Sequence, residues 1–84
     1  MLPSELKGWL DREPFIPLRL HVSGGVHYDV FKPQFVMLGH SMILIGLRRE
    51  IDSPYFDEPV MVSLLHVIRV EPILEVPAPM KQAS

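Results

Sequence analysis

The 84-residue sequence contains no cysteine, which excludes both a disulfide and a cysteine-based zinc site. It also has no long apolar stretch: the longest, residues 41–47, is far shorter than the roughly 20 residues that a membrane-spanning helix needs. The first residues show no basic stretch followed by an apolar one, so no signal peptide is expected. These absences together predict a cytoplasmic protein.

An excess of basic residues is also missing. Eight Lys and Arg are outnumbered by ten Asp and Glu, which argues against a general phosphate-binding surface. Enzyme motifs are absent too: there is no Gly-x-Ser-x-Gly, no phosphate-binding glycine loop and no closely spaced carboxylate pair in an apolar run. We therefore expect neither an enzyme nor a cofactor, and no small-molecule substrate is evident.

What the chain does have is a large apolar fraction, 48%, against 21% charged residues. Its length allows one domain, predicted over residues 1–75, with a disordered tail over residues 76–84. A domain this small buries little of its surface and often gains stability from a partner subunit. The apolar surplus therefore suggests a homo-oligomer, unless a well-filled core absorbs it.

One β-hairpin is the clearest pattern. Apolar residues alternate over residues 18–22 and 26–30, on either side of Ser23-Gly24-Gly25. Only a three-residue loop places the apolar residues of both strands on the same face. A two-residue loop would shift the strand register by one residue and turn the apolar side chains of one strand towards solvent. This register predicts the cross-strand pairs Leu18–Val30, Arg19–Asp29, Leu20–Tyr28, His21–His27 and Val22–Val26.

The polar face of this hairpin carries two of these pairs, His21–His27 and Arg19–Asp29. Two histidines can begin a metal site, but zinc takes three or four protein ligands, and an arginine nearby opposes a cation. A solvated face therefore explains His21 and His27 better, and no metal is predicted. Arg19 with Asp29 is most simply an exposed ion pair.

The rest of the chain predicts one short helix and further short strands. The helix is expected over residues 4–12, with Ser4 as its cap and Trp9 and Leu10 docked on the core. The strand over residues 42–47 is apolar on both faces, so both must be covered, either by the helix or by another subunit. This predicts self-association through Met42, Ile43 and Ile45.

Short strands with tight turns favour a small, strongly bent, five-stranded antiparallel barrel of Sm/SH3-like type, preceded by the helix. The order of elements resembles the Sm-like family, especially its bacterial Hfq type. The resemblance rests on four stretches: the helix running into Arg12-Glu13-Pro14, the hairpin around Val22-Ser23-Gly24-Gly25-Val26, residues 31–38 and residues 61–72. It implies the barrel and, as an alternative function, RNA binding.

One departure from that family concerns its uridine-binding Tyr-Lys-His stretch. Here the corresponding residues are Ser63-Leu64-Leu65, which can neither stack on a base nor hold a phosphate. The chain is also similar to short uncharacterised bacterial proteins that share its residues 14–19 and 66–72, a likeness that implies no activity.

The sequence is compatible with two functions. The first is a non-enzymatic interaction module that contacts itself or another protein through the polar loop over residues 48–59, with Tyr55 and Phe56 as the contact residues. The alternative is an Sm-like RNA-binding protein. Its contact residues are predicted to be Arg19, His21, His27, Arg48 and Arg49.

Overall fold

A computed structural model describes residues 1–74 of the chain. The predicted tail, residues 76–84, lies outside the described residues. The elements, in chain order, are helix α1 (Pro3–Leu10) and strands β1 (Leu18–Val22), β2 (Val26–Val30), β3 (Val36–Leu38), β4 (Met42–Leu47), β5 (Glu58–Ser63) and β6 (Val67–Pro72).

The six strands form two three-stranded antiparallel sheets. Sheet A has the order β2-β1-β6 and sheet B the order β3-β4-β5. The prediction of a mainly β fold with one short N-terminal helix is confirmed. The predicted five-stranded barrel is not: residues 1–74 contain six strands, and these form no closed sheet.

Two single-turn 3-10 helices explain why the sheets are separate. Pro33–Phe35 lies between β2 and β3, and Leu64–His66 lies between β5 and β6. Both interrupt the chain where it passes from one sheet to the other. In the first, the backbone N–H of Phe35 donates to the carbonyl of Lys32, while Pro33 has no N–H to offer a strand. β2 and β3 are therefore two strands rather than one bent strand.

The β1–β2 hairpin has the predicted register at all five pairs. Its loop depends on two glycines with positive φ, Gly24 at 88° and Gly25 at 79°. Residues with a Cβ rarely adopt such values, so the glycines are what allow the three-residue loop.

The pairing of β1 with β6 contains an irregularity that affects the core. His21 pairs with Arg69, but Val22 pairs with Val67, so Ile68 is the extra residue of a bulge. Without the bulge, strict alternation would turn Val67 away from the core side of the sheet. With it, Val67 is buried and Ile68 is exposed.

The inner faces of both sheets meet in one cluster of buried apolar side chains. Its most deeply buried members include Leu6 of the helix, Leu20 of β1, and Ile43 and Ile45 of β4. Within residues 1–74, no polar or charged side chain is buried.

The helix differs in detail from the prediction. It begins at Pro3, so Ser4 lies inside it and does not cap it; instead the Glu5 carboxylate accepts a hydrogen bond from the backbone N–H of Leu2 at 3.1 Å. Its buried residue is Leu6, whereas Trp9 is only half-buried. Among the residues described, no helix is both long enough and apolar enough to cross a bilayer.

Candidate interaction surface

The outer face of sheet B is apolar. Register brings Met37, Leu44 and Met61 into one row across the three strands, and Met42 lies beside this row on β4. The exposed fractions are 71% for Met37, 61% for Met61 and 42% for Met42. We call this surface, formed by Met37, Met42, Leu44 and Met61, the methionine face.

Alternation along β4 decides which of its residues reach this face. Ile43 and Ile45 point the other way and are fully buried in the core. Met42 and Leu44 point outward. Of the three residues predicted for self-association, the structure therefore places only Met42 on the surface, because the protein's own core already covers the two isoleucines.

Met37 and Met61 are the members of this face that sequence reasoning missed. Each stands between two more buried residues, Met37 in Val36-Met37-Leu38 and Met61 in Val60-Met61-Val62. The sequence carries no such signal, because all three residues of each segment are apolar. Which of them faces outward depends on the pairing of β3 and β5 with opposite edges of β4.

The loop over residues 48–57 lies next to the methionine face. It is shorter than predicted, because Glu58 and Pro59 belong to β5. Proline fits there because β5 is an edge strand. Tyr55 and Phe56 are 77% and 52% exposed. Both predicted partner-contact residues are therefore at the surface.

Phe56 is held against the sheet by close contact with β4. A Cβ added to Gly46 would lie 2.9 Å from the Phe56 Cβ and 3.0 Å from its Cγ. The loop ends are also tied together: the backbone N–H of Asp57 donates to the carbonyl of Leu47 at 2.7 Å, and that of Arg49 donates to the Asp57 carboxylate at 2.8 Å. The aromatic pair is thus attached to the edge of the methionine face.

A groove of about 270 Å³ opens where the loop meets the face. Its walls include Phe35, Met37, Leu44, Gly46 and Phe56. This volume is many times the roughly 30 Å³ that one water molecule occupies in the liquid. An apolar side chain from a partner would fit.

A second cleft, of about 250 Å³, is lined by Asp29, Phe31, Arg48 and Arg49 among others. Arg48 stacks on the ring of Phe35 at 4.0 Å, and its Nη1 donates to the Ser53 carbonyl at 2.8 Å. These contacts hold the Arg48 guanidinium against the Phe35 ring and its own loop.

The outer face of sheet A is charged, in contrast to that of sheet B. The Nε and Nη2 of Arg19 donate to the two carboxylate oxygens of Asp29 at 2.8 and 3.0 Å. The Nε2 of His21 donates to the Glu71 carboxylate at 2.8 Å. Three of the predicted nucleic-acid contacts, Arg19, His21 and His27, lie on this face, and two of them already have an acidic partner.

These contacts shift two pKa values. The hydrogen bond to Asp29 raises the pKa of Arg19, so its positive charge is secured. The hydrogen bond from His21 lowers the pKa of Glu71 below its ordinary value of 4.5. Both shifts favour the charged state of the group. The face is therefore a set of matched charges.

The two histidines of the hairpin lie side by side, with ring centroids 5.9 Å apart. Within the part of the chain that the structure describes, no three His, Cys, Asp or Glu side chains come together as metal ligands would. His21 is instead engaged with Glu71.

Compared with known protein families, with curated proteins and with solved structures, the chain matches none. On the surface of the chain, the exposed apolar side chains of sheet B and the 48–57 loop contrast with the matched charges of sheet A.

Proposed function

We propose that the protein is a non-enzymatic interaction module that self-associates. The observation that carries this proposal is the methionine face, where large apolar side chains are exposed side by side on one sheet. Single exposed apolar residues are ordinary, whereas the largest contiguous apolar patch on a protein of this kind is often functional.

The 48–57 loop supports the same function. Tyr55 and Phe56 are exposed, and aromatic side chains are enriched where proteins bind each other. Their loop is held by its own hydrogen bonds, among them a pair in which Ser53 Oγ donates to the Tyr55 carbonyl and accepts from the Tyr55 backbone N–H. These bonds order the loop backbone before binding, which lowers the entropic cost of contact.

The fold proposal goes with this function. We infer that the two sheets together make a small, strongly bent barrel related to the Sm/SH3-like type. Its support is the order of elements, an N-terminal helix followed by short antiparallel strands, and the single core that both inner faces share.

The experiment that tests the function is the absolute mass, measured by light scattering behind a sizing column over a range of concentrations. A mass at or above twice 9.6 kDa that falls on dilution supports the proposal. A mass of 9.6 kDa throughout the micromolar range overturns it. Tyr55→Ser with Phe56→Ser then tests the loop, and reduced association is expected.

The alternative function is RNA binding of Sm-like type, and one observation favours it. Arg48 and Arg49 line the same cleft as Phe31, so cations and an aromatic ring stand close together, as in sites that bind single-stranded nucleic acid. Binding of this kind weakens steeply as salt rises. An absorbance ratio at 260 and 280 nm typical of protein alone, with no salt-dependent binding to a single-stranded RNA oligonucleotide, would eliminate it.

A further inference from the structure

We infer that two copies of the chain pack methionine face against methionine face around a twofold axis. This inference rests on the proposed self-association and specifies its surface and symmetry. In such a contact the same patch is used twice, so the patch must complement itself.

The charge distribution favours a second copy as the occupant. The outward positions of sheet B are all uncharged; they are Met37, Met42, Leu44, Gly46, Pro59, Met61 and Ser63. In a twofold contact a residue of one copy meets a different residue of the other, and only residues on the axis meet themselves, so an uncharged face packs on itself with no charge left to pair. The outer face of sheet A carries Arg19, Arg69, Asp29 and Glu71, and each of these charges would need an opposite charge aligned against it across the axis.

The shape of the face is also self-complementary. It carries protruding side chains, Met37 and Met61, and beside them the groove between Phe35 and Phe56. In a twofold contact, a methionine of each copy can enter the groove of the other. Methionine suits this because its side chain is flexible and its sulfur interacts favourably with aromatic rings.

The area of the face shows that the sheet cannot form the whole contact. Three strands about 4.8 Å apart and up to six residues long cover roughly 300 Å² in outline. A stable interface takes about 800 Å² from each partner. The sheet alone is therefore too small, and the adjoining loop with Tyr55 and Phe56 must take part. We expect a dimer that dissociates on dilution in the micromolar range.

The first experiment compares three lysine substitutions at exposed apolar positions on edge strands. Met37→Lys on β3 and Met61→Lys on β5 place a charge in the face, and Ile68→Lys on β6 is the matched control, since Ile68 is 64% exposed on the other sheet. Lysine is well tolerated on edge strands. We expect each methionine variant to raise the dissociation constant at least tenfold, because its charge is buried twice in one contact, and Ile68→Lys to leave it unchanged.

The outcomes separate this inference from the proposed function. If the chain associates and only Ile68→Lys weakens it, self-association is right and the methionine face is wrong. If all three lysine variants associate like the unmodified chain, the face is equally excluded. If the unmodified chain is a monomer, both fail. A mass that stops at two copies supports the twofold contact, whereas growth beyond two on concentration contradicts it.

A second experiment uses the unmodified protein, so that misfolding cannot affect the result. Hydrogen peroxide converts exposed methionine to the sulfoxide, which mass spectrometry locates residue by residue. We expect Met37 and Met61 to oxidise at least several-fold more slowly above the dissociation constant than below it. Equal rates at both concentrations would overturn the inference.

Discussion

Phe56 packs so closely on Gly46 that a Cβ on the glycine would lie 2.9 Å from the Cβ of the phenylalanine. This contact attaches the 48–57 loop to the outer face of sheet B. It also places the groove and the exposed aromatic pair next to the methionine face. The contact is therefore a sensitive point for both stability and binding.

Gly46→Ala is predicted to destabilise the protein by about 1–3 kcal/mol, because Phe56 or the strand must move to admit the methyl group. Gly8→Ala is the control. Nothing lies within 4 Å of a Cβ at Gly8, and alanine in a helix is more favourable than glycine by roughly 0.5–1 kcal/mol. Chemical denaturation measures both changes.

A double variant tests the clash at Gly46. If the new methyl group meets Phe56, then Gly46→Ala lowers the free energy of unfolding much less when Phe56 is already alanine. An equal cost in both backgrounds would show that the strand itself, rather than the loop, resists the change.

The ion pair between Arg19 and Asp29 is predicted to contribute less than about 1 kcal/mol, since it is partly exposed to solvent. A double-mutant cycle with both residues changed to alanine measures the coupling. The pair Lys7–Asp11, one helical turn apart and more exposed, is the comparison and should couple by roughly 0.3–0.5 kcal/mol. A larger coupling energy for Lys7–Asp11 would mean that the bidentate geometry of Arg19 with Asp29 adds no stability.

Acid stability depends on Glu71. Because the hydrogen bond from His21 lowers the pKa of Glu71 in the folded chain, its contribution is present above the unfolded pKa, near 4.5, and is lost as the pH falls through the lower folded pKa. We predict that Glu71→Gln flattens the decline in the free energy of unfolding below about pH 4.5. Thermal melts from pH 6 to pH 2.5 test this.

His21→Ala removes the donor and should reproduce the acid profile of Glu71→Gln. Combining the two changes should add nothing further below about pH 4.5, because both remove the same hydrogen bond. Additive effects would show that Glu71 owes its low pKa to another neighbour, such as Arg69.

The docking of the helix rests on Leu6. This side chain is completely buried, so Leu6→Ala is predicted to cost about 2–5 kcal/mol through lost burial and the cavity left behind. Leu2→Ala, at an exposed position beside the same helix, should change the free energy of unfolding by less than about 0.5 kcal/mol. Denaturant titration of both variants decides whether the helix is anchored this way; similar costs for the two would contradict it.

Local patterns in the sequence were enough to predict the β1–β2 hairpin. Alternating apolar residues fixed which side of each arm is buried, and the two glycines fixed the loop, so all five pairs followed. Such a hairpin is decided between near neighbours in the chain. The same is true of the exposed aromatic pair, whose flanking prolines and polar residues mark a surface loop.

Tertiary structure alone decided which face of β4 is covered by the core and which remains open. The strand is apolar at nearly every position, so alternation could not tell Ile43 and Ile45 from Met42 and Leu44. The choice depends on distant packing: β3 and β5 flank β4, and its inner face shares a core with Leu6 and Leu20. The bulge that buries Val67 is likewise a property of the pairing between β1 and β6, which lie far apart in the chain. The sequence by itself determined the local hairpin, and only the packing of distant elements determined the surface that it presents to a partner.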